Sequence, residues 1–366
     1  MQFKSIFALM TSAIMSIGLM APTADACTGL RLIAGDGGVV IGRTMEFGFD
    51  VQSDAVVVPA GTELSNSLAD PSQGMRYTSK YGMVGANILD MKIIVDGVNE
   101  AGLYVGGFYF PGYAEYAEPD PSYANRSLAP EDYNTWLLAN FASVAEVKAH
   151  YNDVVLVPNP IAAIGGESFP GHFVVHDSTG ASVVIEPIDG TLKIYDNPLG
   201  AMSNSPTFDW HMTNLRNYIN LTATNVPPVD ASGIRLAQFG QGSGLRGLPG
   251  DFTPPSRFVR AVAFSQFAQQ LPTAEETVPQ VFHLMNAFDI PVGAVQDVQE
   301  NETHNDYTVW TSVADLDNLR WAIRTYTDQS IRSIDVREAL AAAGNQVKVI
   351  ELDSEQPVEN ISTQFK

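Results

Sequence analysis

With a single cysteine, Cys27, this 366-residue chain can form no internal disulfide. Whatever it folds into must be held by burial and hydrogen bonding alone. The material is there: 45% of the residues are apolar, and no composition break marks a linker. A chain of this length can bury a large core. The position of the cysteine is the second constraint. Residues 1–26 read as an export leader, with Lys4 the only charge before Asp25, an apolar run from Ile6 to Met20, and small residues at Ala24 and Ala26. A membrane-spanning helix needs about 20 apolar residues, so this run is short for an anchor. Cleavage after Ala26 would make Cys27 the first residue of a mature chain covering 27–366, released to the periplasm or secreted. The same junction also allows lipid attachment at Cys27, although Asp25 and Ala24 suit that outcome poorly.

Twenty Lys and Arg against 41 Asp and Glu give a net charge of −21. Such a field repels nucleic acids and anionic membranes, so neither is expected as a partner.

The segment 30–47 alternates around a Gly-rich turn at Gly35 to Gly38 and reads as a hairpin whose first strand starts at Cys27. Further strands are expected at 55–58, 81–84, 91–95, 102–110, 154–157, 172–176, 181–187 and 192–195. One helix is expected from Pro130 to about His150, because Trp136, Leu137, Phe141, Val144 and Val147 recur at helical spacing. Helices follow at about 209–221, 257–271 and 277–286, and strands return at 308–314, 319–326 and 346–351. Strands first, helices in the middle and strands again indicate a layered α+β fold.

A lone buried thiol is ordinarily a packing residue. Cys27 differs because cleavage would give it a free α-amine. That amine, with a reference pKa of roughly 7.7–8.0, can accept a proton near neutrality. The thiol is intrinsically nucleophilic. Arg43 and Glu46, in GRTMEFG on the returning strand of the first hairpin, are placed to come beside it. A fixed positive charge there would favour the thiolate.

Other motifs offer less. Gly242, Gly244 and Gly247 have GxGxxG spacing, but prolines follow and no βαβ pattern surrounds them, so the piece reads as a loop. His172 and His176 share one face of a strand, about 13 Å apart, too far to ligate one ion together. No GxSxG elbow is present. No metal or organic cofactor is expected.

Four stretches then carry a resemblance over nearly the whole mature chain: CTGLRL at 27–32 with GRTME at 42–46, DGVNEAGLYVGGFYFPG at 96–112, NSPTFDWHMTNLRNY at 204–218, and PPSRFVRA at 254–261. A weaker fifth is YTVWTSVADLDNLRWAIRTY at 307–326. Together they resemble the choloylglycine hydrolase and penicillin V acylase family of N-terminal-nucleophile (Ntn) hydrolases, in particular its Gram-negative penicillin V acylase branch. The resemblance implies a four-layer αββα fold, with two antiparallel sheets between helix layers, in one catalytic domain over 27–366. It also implies a homo-oligomer, commonly a tetramer, and hydrolysis of a small-molecule N-acyl amide. Cys27 matches the family nucleophile and Arg43 the arginine beside it. Glu46 stands where the family usually has aspartate. Asn204 matches the oxyanion asparagine, and Arg257 the active-site arginine. Tyr109 falls at a substrate and oxyanion position, where bile salt hydrolases often have asparagine and penicillin V acylases tyrosine. A penicillin V acylase-like activity is therefore expected, with conjugated bile salts or N-acyl homoserine lactones as alternative substrates. A secreted binding protein or lipoprotein anchored at Cys27 is the alternative from a different class.

Overall fold

A computed structural model of the protein describes residues 26–299 and 302–365. The expected leader, Ala26 excepted, lies outside the described residues.

The first hairpin sets the frame. Strand β1, Cys27–Ile33, turns at Asp36–Gly38 and returns as β2, Val39–Phe47. Gly37 takes φ +90°, a conformation that glycine adopts without steric cost, and Asp36 Oδ1 accepts from the Gly38 N–H. The register places Cys27 opposite Met45 and Gly29 opposite Arg43. β2 is buried along almost its whole length because the strand Glu302–Asp315 pairs with its other edge and layers cover both faces. A run of this kind reads as continuous Val and Ile, here Val39, Val40 and Ile41. The sheet is completed by Arg320–Thr325 and Arg332–Asp335, with Val295–Gln299 pairing Glu302–Asp315 at one end.

The second sheet has eight antiparallel strands. In spatial order they are Thr191–Asp196, Ser182–Ile188, Gly171–Asp177, Leu103–Tyr109, Asp96–Asn99, Met83–Ala86, β3 (Asp54–Val58) and Lys348–Glu351. One apolar core fills the space between the two sheets and continues under α4 (Pro254–Phe267) and α5 (Ala274–Met285), which pack on β1 and β2. A second core lies between the other face of the eight-stranded sheet and α1 (Tyr133–Asn140) and α2 (Val144–His150). α3 (Phe208–Asn214) leans on α4, and α6 (Val336–Ala343) touches both sheets at their edge. The layers run helix, sheet, sheet, helix, the αββα arrangement of Ntn hydrolases.

Four expectations change. The single helix over 130–150 is a 3₁₀ turn and two helices. Phe141 is extended, and Ser143 caps α2, its Oγ accepting from Glu146 N while Glu146 Oε2 reaches one residue beyond the usual capping-box partner to accept from Ala142 N. Residues 91–95 form no strand: the chain there turns through Leu89 and Asp90, both at positive φ, and the strand begins at Asp96. The helix over 209–221 ends at Asn214 and tightens into a 3₁₀ turn. α6, capped by Asp335, was not expected.

Candidate active site

Because side chains alternate along a strand, β1 and β2 divide the polar groups between two faces. Cys27, Met45 and Arg43 share the face turned toward the second sheet. Thr28 and Glu46 lie on the face turned toward α4. Cys27 is 2% exposed. Its Sγ is 3.6 Å from Arg43 Nη2 and 3.7 Å from Met45 Sδ. Burial pushes the thiol pKa up, and the Arg43 charge pulls it back.

Arg43 is fully buried, so its guanidinium must be matched. Nη1 donates to Val95 O at 3.0 Å and Nη2 to Gly107 O at 2.5 Å. Asp96 Oδ2 lies 3.5 Å from Nη1, and the guanidinium lies over the rings of Phe108 and Trp310. Asp96 is itself held by Ser312 Oγ, Trp321 Nε1 and the Tyr104 hydroxyl. These are neutral donors, so its charge is left to Arg43.

On the other face, Arg257 comes from the first turns of α4. Its Nη1 donates to Cys27 O at 2.5 Å and to Thr28 Oγ1 at 2.8 Å, and its Nη2 to Asn204 Oδ1 at 2.7 Å. Asn204 Oδ1 also accepts from Cys27 N at 2.7 Å. The Asn204 amide donates to Tyr109 O at 2.7 Å. An amide nitrogen carries two N–H groups, so one donor of Asn204 remains for another acceptor. Glu46 is fully buried. Its Oε1 accepts from Thr308 Oγ1 at 3.0 Å, the nearby Thr44 hydroxyl also favours its charged form, and Oε2 has no well-formed hydrogen bond among the described residues. Burial raises its pKa to about 8, against the pull of Arg257. The Glu46 N–H donates to Ala26 O, so the residue ahead of Cys27 continues the β1 pairing.

The fold thus brings together Cys27, Arg43, Glu46, Asn204 and Arg257. Tyr109 reaches the site through its carbonyl, and the following N–H, that of Phe110, donates to Pro170 O. The Tyr109 ring stands edge-on to Phe47 and near Phe169. With Phe49, Ile88 and Ile164 these rings wall a pocket that ends on Cys27, Arg43 and Glu46. The walls stand close around about 550 Å³ of space, its open mouth included. The loop 240–250 is mostly exposed, with Gly242 and Gly247 at positive φ. Ser243–Leu245 is a 3₁₀ turn in the approach to α4, so the glycine motif opens no α-helix there.

Four contributors lay outside sequence reasoning. Asp96 and Thr308 sit within stretches already quoted, but their partners come from other strands. His172 and His211 bind the main chain on either side of Asn204, at Ser203 O (2.9 Å) and Asn204 O (2.8 Å). Burial lowers the His211 pKa to about 4, so it is a neutral donor there.

Comparison with known proteins gives the family and the fold. The family model for linear amide C–N hydrolases, choloylglycine hydrolase family, matches residues 27–350. The chain is 32% identical over 343 residues to a bile salt hydrolase/transferase of Clostridium perfringens, across 92% of this chain and all of that protein. A crystal structure of a variant of the conjugated bile acid hydrolase of C. perfringens superposes with a TM-score of 0.79, at 30% identity over 92% of this chain and 100% of the other. The penicillin V acylase of Agrobacterium tumefaciens superposes with a TM-score of 0.71, at 25% identity over 90% and 92%.

Proposed function

Since the chain belongs to the choloylglycine hydrolase family of linear amide C–N hydrolases, we propose that it cleaves N-acyl amides with Cys27 as an N-terminal nucleophile. One observation carries the reading. Sγ of Cys27 is buried beside Arg43 and Met45, and among the described residues no imidazole or carboxylate is hydrogen-bonded to it. We assign the role of base to the residue's own α-amine, freed by cutting after Ala26. The start of the family match at residue 27 supports the same processing.

In the proposed reaction the thiol passes its proton to the α-amine and sulfur attacks the substrate carbonyl. The remaining Asn204 N–H meets the developing oxyanion. The protonated amine gives its proton to the leaving nitrogen, which departs as a free amine and leaves a thioester on Cys27. Water, deprotonated by the same amine, then releases the acid. Arg43 favours negative charge on sulfur. Glu46, whose Oε2 has spare acceptor capacity, orients the new ammonium, and Arg257 fixes the main chain of Cys27 and the Asn204 carbonyl.

The aromatic walls Phe47, Phe49, Tyr109 and Phe169 favour a flat aryl acyl group, as in penicillin V. Conjugated bile acids are the second reading, favoured by the identity to the C. perfringens protein over its full length. We place the mature protein in the periplasm, following the leader pattern of 1–26. It would act as a homo-oligomer, supported by an exposed apolar hairpin, Val229–Ala231 with Ile234–Leu236.

The test is a panel of penicillin V, glycocholate and a long-chain acyl homoserine lactone on protein that begins at Cys27. Penicillin V should give the highest kcat/KM, and Cys27→Ala should fall to background. Faster glycocholate cleavage would select the second reading. Normal turnover by Cys27→Ala would remove the nucleophile assignment.

A further inference from the structure

The segment Ser203–Ser205, which carries Asn204, belongs to no strand or helix. The carbonyls of Ser203 and Asn204 therefore lack the ladder partners that would fix them, yet both residues are buried and their carbonyls need donors. Each is met by an imidazole from a different element. His172, on strand Gly171–Asp177, approaches Ser203 O with Nε2 at 2.9 Å. His211, on α3, approaches Asn204 O with Nε2 at 2.8 Å. A carbonyl only accepts, so both imidazoles carry a proton on Nε2.

That assignment bears on the other nitrogen of His172. Its Nδ1 lies 3.2 Å from Glu186 Oε1, on the neighbouring strand Ser182–Ile188. A bare Nδ1 facing a bare carboxylate oxygen would be two acceptors in contact. One proton must lie between them for the contact to be a hydrogen bond. Glu186 Oε1 also accepts the Phe208 N–H at 2.9 Å, which opens α3. One carboxyl oxygen thus ties His172 to the helix that carries His211. The His172 ring is further locked by stacking on Phe110, with centroids 4.1 Å apart and planes 10° apart. His211 stacks on Phe258.

The two carbonyls belong to the two peptide planes that flank the Cα of Asn204. Fixing both planes fixes the direction of its side chain. We infer that Glu186, His172 and His211 form a positioning device that aims the Asn204 carboxamide at Cys27 N and Arg257. It rests on the proposed function, since it assigns these groups to the same reaction. None of the three touches the reacting atoms; they act through Asn204. Hydrogen-bond partners that orient metal ligands from behind are typically worth about 10–100-fold in activity, and an effect of that size is expected for groups that orient Asn204.

The experiment compares wild type with His172→Phe, His172→Gln and Glu186→Gln, all beginning at Cys27, with kcat counted per folded site by denaturing-gel thiol titration of the soluble monodisperse fraction. Wild-type turnover that Cys27→Ala abolishes establishes the underlying reading separately. The expected result is a fall in kcat of about 10–100-fold for His172→Phe with KM within about twofold, and partial recovery in His172→Gln, whose amide still donates. An unchanged kcat per site in His172→Phe would overturn the inference, because a merely structural role removes folded sites and leaves each remaining one at full rate. Should His172→Phe fail to fold, Glu186→Gln decides by the same criterion, since its amide oxygen still accepts from Phe208 N–H. Crystal structures give a readout that needs no activity. The Asn204 Oδ1 to Cys27 N distance, 2.7 Å here, should open beyond hydrogen-bond reach in the variant that folds. An unchanged distance would contradict the positioning role even in a chain that hydrolysed none of the panel.

Discussion

Arg43 Nη2 lies 3.6 Å from Cys27 Sγ, and the same guanidinium is paired at its other nitrogen with Asp96, 3.5 Å away. Sulfur, cation and carboxylate are all buried. The Arg43 guanidinium is therefore shared between the Asp96 carboxylate and a thiol that gains negative charge when it reacts.

Removing one partner of such a buried pair leaves the other charge uncompensated. Arg43→Leu is expected to cost about 3–5 kcal/mol of stability. Arg43→Leu combined with Asp96→Leu should cost clearly less than the two single variants summed. Urea denaturation of the four proteins of the cycle measures this.

The approach of the Asp96 strand depends on Gly85. A Cβ at this position would run into the Asp96 carbonyl and the Gly97 Cα, both main chain that cannot swing aside. Gly85→Ala should lose about 1–3 kcal/mol. It should also lower kcat, because any shift of Asp96 is passed to Arg43. Thermal melts and turnover of the same preparation test both parts.

Four buried carboxyl groups should make stability fall between about pH 4.5 and pH 8, opposed below about pH 6.5 by the buried imidazoles of His211 and His176, whose pKa values burial lowers. Burial raises Glu46 to about 8, Glu131 to about 7, and Asp132 and Asp306 to about 6. Each group binds a proton more tightly when folded than when unfolded. Its contribution is complete below the unfolded pKa and is lost as pH rises through the folded value. One such group contributes a slope of at most about 1.4 kcal/mol per pH unit. Glu46→Gln cannot ionise and should show a shallower fall above pH 5 than wild type, measured by melts at stepped pH.

Pocket shape should govern the acyl group. Tyr109→Asn opens the wall between Phe47 and Phe169. It should shift the kcat/KM ratio of glycocholate to penicillin V upward by about tenfold, within the 1–3 kcal/mol that such a wall can supply. Parallel assays with the two substrates decide it.

Much of this site could be read in the sequence because its key pair is local. The turn at Gly35–Gly38 forces β1 and β2 together, and strand period two then puts Arg43 on the Cys27 face. Asn204 and Arg257 came from resemblance, since no local pattern links residues 177 and 230 positions away from Cys27. The histidines gave no signal, because their partners are main-chain carbonyls, which every residue has. The helix expected over 130–150 failed for a different reason. The apolar spacing from Trp136 to Val147 continues through a chain break that S-V-A-E at 143–146 announces as a helix N-terminus.

The central claim is that the α-amine of Cys27 is the catalytic base. It is tested most directly by quenching the reaction early and weighing the protein, for a chain that begins at Cys27 and for one that retains Ala26. Retaining Ala26 keeps the thiol and Arg43, adds the Ala26 O bond to Glu46 N, and turns the Cys27 amine into an amide that cannot act as a base. The chain beginning at Cys27 should gain the mass of the acyl group on Cys27, and the Ala26 chain should gain none. Acylation and turnover of the Ala26 chain at the same rate would contradict the account.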